Sequence, residues 1–221
     1  MTEKSPVKKN DFIQIEFTGK ANGQIFDTTN PKEAKALGID APKDIKPLII
    51  CAGNAMMLKG LDEQLEGKEL DKKYTLTVPP QKAFGLRNTN LIKTYGLQNF
   101  RKNDINPYQG MTLQLDNQLV KVISVSGGRV TVDFNNPLAG KEVEYSFTIT
   151  KKIIDDLEKI NALQDFFFRK RFEFTIYDKK VLFKDPIIKP LLELLAPQWK
   201  SMTGFDFEAP ETIKQEKKTQ K

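Results

Sequence analysis

The chain has 221 residues, 39% of them apolar, which is enough for a packed core, and no run approaches the ~18 apolar residues of a membrane-spanning helix. It has no histidine, which excludes histidine-ligated metal sites and imidazole bases. The net charge is +6, but lysine and arginine are interleaved with aspartate and glutamate, so we expect no nucleic-acid partner.

The N-terminal part of the chain predicts a strand and then a long surface excursion. MTEKSPVKKND is polar and lacks the apolar stretch of a secretory signal, so we expect a cytoplasmic protein with no membrane partner. FIQIEFTG at 12–19 alternates strictly, with Ile13, Ile15 and Phe17 on one face, as in a half-buried strand. Residues 28–47 are rich in Pro, Lys and Asp, which is typical of a surface segment.

Residues 48–80 predict a strand, a helix and a second strand. LIICAG at 48–53 reads as a buried strand. AMMLKGLDEQLEG predicts a helix that ends at Gly67. Its apolar residues recur at helical spacing: Met57, Leu58, Leu61 and Leu65. YTLTVPP at 74–80 alternates again, and the double proline ends the strand. Cys51 is the only cysteine, so it forms no internal disulfide, and we interpret it as a small buried hydrophobe rather than a reactive thiol.

From residue 86 the pattern of apolar and polar residues changes. The first part of 86–135 is irregular, and LVKVISVSGGRVTVDF then predicts a hairpin that turns at Gly127-Gly128. DFNNPLAG at 133–140 predicts a tight, rigid corner. EVEYSFTIT at 142–150 alternates, and its pattern matches the opening strand, so we expect the chain to leave one sheet near 86 and return to it near 140.

The C-terminal region predicts a helix over 153–168, a short hairpin around Asp178-Lys179 and a proline-started helix that contains Trp199. TIKQEKKTQK has no apolar anchor, and we predict a disordered tail over 211–221. Dimerisation, further binding of other polypeptides and simple stabilisation all remain open as roles for this region.

The motifs IEFTG, IFD, GLDEQLEG, PPQKAFG and FNNPLAG follow one another in the order found in FKBP-type peptidyl-prolyl cis-trans isomerases, which this chain resembles. The long segment between KAFG and PLAG is similar to the SlyD-like subgroup, in which an inserted chaperone domain replaces the flap. The region after it resembles the C-terminal extension of long archaeal members.

The resemblance implies an α+β fold. We expect an antiparallel FKBP-like half-barrel sheet wrapped on a short helix, a mostly-β inserted flap domain and a small α+β C-terminal domain. The predicted boundaries are 1–85 plus 136–152 for the isomerase domain, 86–135 for the insert, 153–210 for the C-terminal domain and 211–221 for the tail.

The resemblance also implies a dry proline-binding pocket. It assigns catalytic roles to Asp27, Phe26, Phe84, Tyr145 and Leu58. It assigns pocket contacts with the substrate to Phe17, Leu48, Met57, Leu61 and Phe147. Many relatives have tyrosine at the positions of Phe17 and Phe84 and tryptophan at that of Leu61, so the pocket should be less polar than is usual. Core packing would equally explain most of these apolar residues, and Asp27 alone would suit a turn.

The insert is expected to bind clients because a unit of about fifty residues cannot bury many apolar side chains. The client-binding residues that we predict are Leu91, Ile92, Tyr95, Leu97, Phe100, Tyr108 and Met111. The alternative is a small self-contained fold with an ordinary core.

The predicted function is a peptidyl-prolyl cis-trans isomerase and folding chaperone, and the alternative is a holdase with little or no isomerase activity. Its partners would be unfolded or partly folded polypeptides that contain proline, with a homodimer through the C-terminal domain as a further possibility. We predict no cofactor and no metal.

Overall fold

The computed structural model describes residues 5–36 and 45–211. In chain order its strands are β1 (Phe12–Ala21), β2 (Gln24–Thr28), β3 (Leu48–Cys51), β4 (Lys73–Val78), β5 (Ile92–Gly96), β6 (Thr112–Leu115), β7 (Gln118–Ser126), β8 (Arg129–Asp133), β9 (Val143–Lys152), β10 (Phe174–Tyr177), β11 (Lys180–Phe183) and β12 (Asp206–Glu208). Its helices are α1 (Pro31–Ala36), α2 (Lys59–Asp62), α3 (Leu97–Arg101), α4 (Asp156–Phe167) and α5 (Lys189–Thr203). Short 3-10 helices cover Pro80–Lys82, Thr89–Leu91 and Pro186–Ile188.

Largely antiparallel sheets with few helices confirm the predicted α+β class.

Parts of two predicted segments lie outside the described residues. These are residues 37–44 of the predicted excursion and 212–221 of the predicted tail. Among the residues that are described, no helix is long and apolar enough to cross a membrane.

The chain divides into two compact units. The first comprises 1–19, 25–76 and 145–221, and the second comprises 20–24 and 77–144. The predicted insert therefore falls within the second unit, and the C-terminal region belongs to the first. The domain boundaries drawn from the sequence stay predictions.

A five-stranded sheet forms the framework of the first unit. Its order is β2-β1-β9-β4, and β3 pairs with β1 so that Ile15 lies opposite Leu48. The alternation in β1 buries Ile13, Ile15 and Phe17, as predicted. Because β9 lies beside β1, the predicted match between residues 142–150 and the opening strand is confirmed.

The helix predicted over residues 55–67 is only the short α2. Ahead of it, the buried Asp62 carboxylate accepts hydrogen bonds from the Gly53 N–H at 2.9 Å and the Ala55 N–H at 2.8 Å. Ala55 has a φ of 57°, which no α-helix contains. The predicted helix began too early because these contacts to Asp62 fix a turn where the apolar spacing suggested helix, and residues 63–67 after α2 form turns and not helix.

Cys51 ends β3 and is buried. Burial, helped by the charges of Asp62 and Asp11, raises the pKa of its thiol to about 12. The thiol therefore stays protonated at neutral pH, which agrees with its interpretation as a small hydrophobe.

The second unit contains a four-stranded sheet with the order β5-β8-β7-β6. The predicted hairpin is confirmed, since β7 and β8 join at Gly127 and Gly128 with φ values of 56° and 72°. The stretch from 86 to 111 is less irregular than predicted, because pairing with β8 holds β5 as a strand. The buried core of this sheet consists of Phe100, Leu113, Val120, Val122, Val130 and Val132.

The C-terminal region has α4 and the β10–β11 hairpin where the sequence predicts them. The short strand β12 was not predicted, and it pairs in parallel with β11. Trp199 of α5 is buried against three rings, those of Phe167, Phe168 and Phe207. These rings therefore join α5 to the C-terminal end of α4 and to β12.

An ion pair ties the end of β9 to the N-terminal segment. The buried Lys152 ammonium lies 2.8 Å from the Asp11 carboxylate and donates to the Ser5 hydroxyl and the Pro6 carbonyl at 2.8 and 3.0 Å. The Ile153 N–H donates to the Phe12 carbonyl at 2.7 Å. The C-terminal region is therefore fixed at the point where it leaves the first sheet.

Candidate functional site

Three rings meet in the first unit and form what we call the aromatic corner: Phe17, Phe26 and Tyr145. Phe17 of β1 and Phe26 of β2 each lie with their ring centroid 5.8 Å from that of Tyr145 on β9. The rings of Phe26 and Tyr145 meet edge to face at 86°, which places a positive ring edge on a negative face. Phe17 and Tyr145 are buried and Phe26 is half-buried, so Phe26 is the most exposed of the three rings.

Gly19 lets these rings approach the sheet. A Cβ at this position would lie 2.7 Å from Cζ of Phe26 and 3.0 Å from Cε1 of Tyr145. Carbon atoms in contact ordinarily lie about 3.5–4.0 Å apart. Any side chain at residue 19 would therefore displace the aromatic corner. We did not identify Gly19 from the sequence, although glycine inside a strand is a known sign of close approach.

Hydrogen bonds fix β2 and α1 to β1. The Phe17 N–H donates to the Thr29 hydroxyl at 2.8 Å, and the Thr29 N–H donates to the Phe17 carbonyl at 2.9 Å. The hydroxyls of Thr18 and Thr28 both donate to the Glu33 carboxylate, the latter at 3.0 Å. The two residues that precede Thr28 are therefore held in place. Sequence reasoning missed these polar contacts, which join residues on different elements.

Asp27 follows Phe26 within β2, so the structure places it in a strand and not in a turn. Its side chain is exposed, yet desolvation by the surrounding protein raises the pKa of its carboxyl in spite of a hydrogen bond from the Thr28 backbone. Burial, together with the negative charge of Asp27, also raises the pKa of Tyr145. The carboxylate is therefore electrostatically coupled to the aromatic corner. Within the described ranges no cluster of acidic, cysteine or histidine residues is placed to hold a metal ion.

The segment that leads into α2 carries three more of the predicted pocket residues. Leu61 is fully buried, and Met57 and Leu58 are half-buried. The Leu58 carbonyl accepts from the N–H groups of Leu61 and Asp62, both at 2.9 Å. Among the described residues the Leu58 N–H has no hydrogen-bond partner.

The remaining predicted pocket residues are distributed between the two units. Leu48 is half-buried in β3, and the buried Phe147 of β9 stacks on Tyr74 with centroids 5.5 Å apart. Both lie in the first unit. Phe84 lies in the second unit, half-buried in the turn that follows Pro80–Lys82. Its catalytic role stays a prediction.

Comparison with known proteins identifies the family. The profile of FKBP-type peptidyl-prolyl cis-trans isomerases matches residues 3–95, and a profile described as FKBP26, IF domain, matches residues 96–138. The chain is 31% identical over 144 residues to the short-type peptidyl-prolyl cis-trans isomerase of Methanocaldococcus jannaschii. The aligned region covers 65% of this chain and 92% of that protein. The chain belongs to the FKBP-type peptidyl-prolyl cis-trans isomerase family.

More distant FKBP relatives agree with this assignment. The FKBP-type 16 kDa peptidyl-prolyl cis-trans isomerase of Escherichia coli K12 is 27% identical over 147 residues, which is 65% of this chain and 91% of that protein. SlyD of Aeromonas hydrophila is 27% identical over 140 residues, which is 62% of this chain and 60% of that protein. The match to the IF-domain profile and the similarity to SlyD confirm the predicted resemblance to SlyD-like FKBPs with an inserted domain.

The predicted client-binding residues of the FKBP insert differ widely in exposure. Tyr108 is 65% exposed and Leu91 is 38% exposed, whereas Ile92 is half-buried. Phe100 lies in the insert's core, and Tyr95, Leu97 and Met111 pack against that core. Leu119, at 72% exposure, was not predicted as a client contact. For Phe100 the alternative of ordinary core packing therefore fits the structure better than an exposed contact.

The two ends of the FKBP insert are fastened to each other in what we call the neck, formed by Arg87, Asn88, Asp133 and Asn135. Arg87 donates to the Asp133 carboxylate at 2.6 and 3.1 Å. The Asn135 amide donates to the Asn88 carbonyl at 2.9 Å and to Asp133 at 2.7 Å, and its oxygen accepts from the Asn88 N–H at 2.8 Å. Partial burial alone would raise the pKa of Asp133, but the bonds from Asn135 and Arg87 outweigh it and hold the pKa below its ordinary value.

The predicted corner at 133–140 contains Asp133 and Asn135 of the neck and continues beyond them to Gly140. The Leu138 N–H donates to the Asn136 side chain at 2.8 Å, and the Gly140 N–H donates to the Gly85 carbonyl at 2.8 Å. Gly140 has a φ of 76°, which glycine adopts without strain. The hydrogen bond from Gly140 to Gly85 is therefore a further link between the two ends of the insert. The sequence pattern did not show this link.

Proposed function

We propose that this FKBP-family chain isomerises X-Pro bonds in unfolded polypeptides and holds the proline ring at the aromatic corner. The observation that carries the proposal is the edge-to-face packing of Phe26 on Tyr145 above a strand glycine, Gly19. The barrier of about 18–20 kcal/mol arises from amide resonance. The twisted transition state has less charge separation than the planar amide, so a dry apolar site favours it without a nucleophile or metal.

The residues near the aromatic corner divide into three roles in this scheme. The free Leu58 N–H binds a substrate carbonyl, and the Asp27 carboxylate orients the polar groups beside the proline. Leu61, Leu48, Met57 and Phe147 provide the apolar support. A raised pKa for Asp27 fits a carboxylate in poorly hydrated surroundings.

We also propose that the insert captures unfolded clients through its exposed apolar side chains. Leu91, Tyr108 and Leu119 are exposed, and Lys93, Arg101 and Lys102 add positive charge to the same unit. Exposed apolar side chains with polar neighbours suit transient binding of unfolded chain. Since insert and isomerase site share one chain, capture raises the local concentration of X-Pro bonds at the catalytic site.

The C-terminal region supports a further proposal. We assign the chain to the long archaeal type with a C-terminal extension, because residues 153–211 are folded and the archaeal relative matches only 144 residues. A homodimer through this region would cover three exposed apolar side chains near and on α5: Ile187, Leu191 and Leu194.

A refolding assay tests the isomerase proposal. The chain at micromolar concentration should accelerate the proline-limited phase of a denatured protein, and Phe26→Ala should reduce this acceleration at least tenfold. The alternative function, that of a holdase, predicts that the chain suppresses aggregation of the denatured protein without accelerating its refolding. Acceleration that Phe26→Ala leaves unchanged would contradict the proposed site.

Client capture is tested with surface variants of equal number and type. Serine replaces Leu91, Tyr108 and Leu119 in one variant, and the likewise exposed Ile154, Leu157 and Tyr177 in the matched control. We expect the first variant to lose activity on a denatured protein but to retain it on a short X-Pro peptide. Equal behaviour of the two variants on the denatured protein would contradict capture by the insert.

A further inference from the structure

The insert contains a small pocket beside α3 and the β6–β7 turn. Four of its lining residues are apolar, namely Tyr95, Phe100, Ile105 and Leu115. Asn99 and Asp116 are among its polar lining residues. Its volume is about 170 Å³. All of these residues belong to the second unit, so the pocket is a feature of the insert itself.

We propose that this pocket receives one apolar side chain of an unfolded polypeptide, at a position where the client carries a neighbouring lysine or arginine. The proposal rests on the proposed capture of clients by the insert and specifies the sequence that is captured. An apolar cavity of about 150 Å³ takes up benzene, so 170 Å³ accommodates a leucine side chain or a phenyl ring.

Charge determines the preference for a basic neighbour. Among the described residues Asp116 is the one charged residue that lines the pocket, and it forms no ion pair with any of them. Arg101 and Lys102 lie on or directly after α3, but neither lines the pocket. A cationic client residue beside the anchor therefore gains a carboxylate partner, and an anionic one is repelled.

The walls of the pocket are formed before a ligand arrives. Tyr95 packs edge-on against Phe100, with ring centroids 6.3 Å apart and planes at 83°, and also contacts Phe134 at 6.4 Å. Phe100 is anchored in the insert's core. Because these rings are already ordered, binding loses little side-chain entropy, which favours a specific anchor over diffuse contact.

The test is an NMR titration of the full-length chain with proline-free hexapeptides, which leaves the proline site out of the measurement. The parent peptide contains one leucine followed by one lysine. Replacing the leucine by alanine should weaken binding about tenfold or more, since most of the buried apolar surface is lost. Replacing the lysine by glutamate should weaken it about two- to fivefold at low salt.

Two pairs of variants localise the effect. Asn99→Trp places a large ring at the mouth of the pocket, whereas Gln98→Trp changes the neighbouring exposed residue of α3, which does not line it. Asp116→Asn and Asp104→Asn both put asparagine at a position of positive φ, which it tolerates well, but only Asp116 lines the pocket. We expect Asn99→Trp to weaken binding about tenfold or more, Asp116→Asn to remove the preference for lysine over glutamate, and both controls to bind normally.

The outcomes separate this proposal from the one on which it rests. Equal affinity of Asn99→Trp and Gln98→Trp, or of the leucine and alanine peptides, overturns the pocket even if the insert still captures denatured protein. If no peptide binds and the surface variants also leave activity on denatured protein unchanged, both proposals fail. Should Asn99→Trp lose its dispersed spectrum, the Asp116→Asn pair and the two peptide substitutions decide the question.

Discussion

Gly19→Ala tests whether the geometry of the aromatic corner matters for catalysis. The added methyl group would lie 2.7 Å from Cζ of Phe26 and 3.0 Å from Cε1 of Tyr145. Since carbon contacts ordinarily begin near 3.5 Å, the Phe26 ring has to retreat by about 0.8 Å or more. The close atoms lie at the ends of ring side chains and not in backbone, so the fold should tolerate the change with a loss of about 1 kcal/mol.

The catalytic effect should be much larger than the effect on stability. A misplacement of about 1 Å at a reacting centre costs on the order of 100-fold in rate, so we expect kcat/KM for a short X-Pro peptide to fall by about 10- to 100-fold. Gly96→Ala is the matched control, because no atom of the described part of the chain lies within 4 Å of a Cβ added at Gly96, and the φ of Gly96 is −67°. Melting curves establish that both variants are folded. A folded Gly19→Ala variant with full kcat/KM would refute the role assigned to the aromatic corner.

Three further predictions concern polar side chains. Asp27→Asn should raise the melting temperature at pH 7, because a pKa that is higher in the folded state than in the unfolded state means that the ionised carboxylate opposes folding. The gain in melting temperature should disappear when the pH falls below the ordinary carboxyl pKa. A variant with no gain at pH 7 would contradict the desolvation of Asp27. Asn135→Ala should lower the free energy of unfolding of the second unit by about 2–3 kcal/mol in urea, because Asn88 and Asp133 both lose their hydrogen bonds to the buried Asn135 side chain. An unchanged urea midpoint would show that the neck adds no stability. Lys152→Met should lower stability by about 3 kcal/mol in thermal melting, because the Asp11 carboxylate loses its cationic partner and keeps only the hydrogen bond from the Lys8 N–H. A variant as stable as the natural chain would argue against this ion pair.

The elements predicted correctly from the sequence have local signals. Strict alternation marked β1 and β9, two glycines marked the β7–β8 hairpin, and helical spacing marked α4. Each of these signals lies within a few residues of the feature that it predicts. The motif order that linked the chain to the FKBP family is likewise a property of short segments and their spacing.

The features that were missed depend on residues that are distant in the chain. β12 exists because β11 offers it a parallel partner, and α2 is short because Asp62 binds the turn ahead of it. The neck joins Arg87 to Asp133, which are 46 residues apart. The exposure of Tyr108 and the burial of Phe100 could not be distinguished either, because both are aromatic residues in the same irregular stretch. Such pairings become visible only once the chain is folded.

The most direct test of the central claim is NMR exchange spectroscopy on a short peptide with one X-Pro bond. Uncatalysed exchange takes tens to hundreds of seconds, too slow to give exchange cross-peaks. We predict that the full-length chain at micromolar concentration produces cis–trans cross-peaks, and that Phe26→Ala, shown to be folded, removes most of their intensity. A natural chain that leaves the peptide without cross-peaks, or a Phe26→Ala variant that produces them undiminished, would contradict catalysis at the aromatic corner.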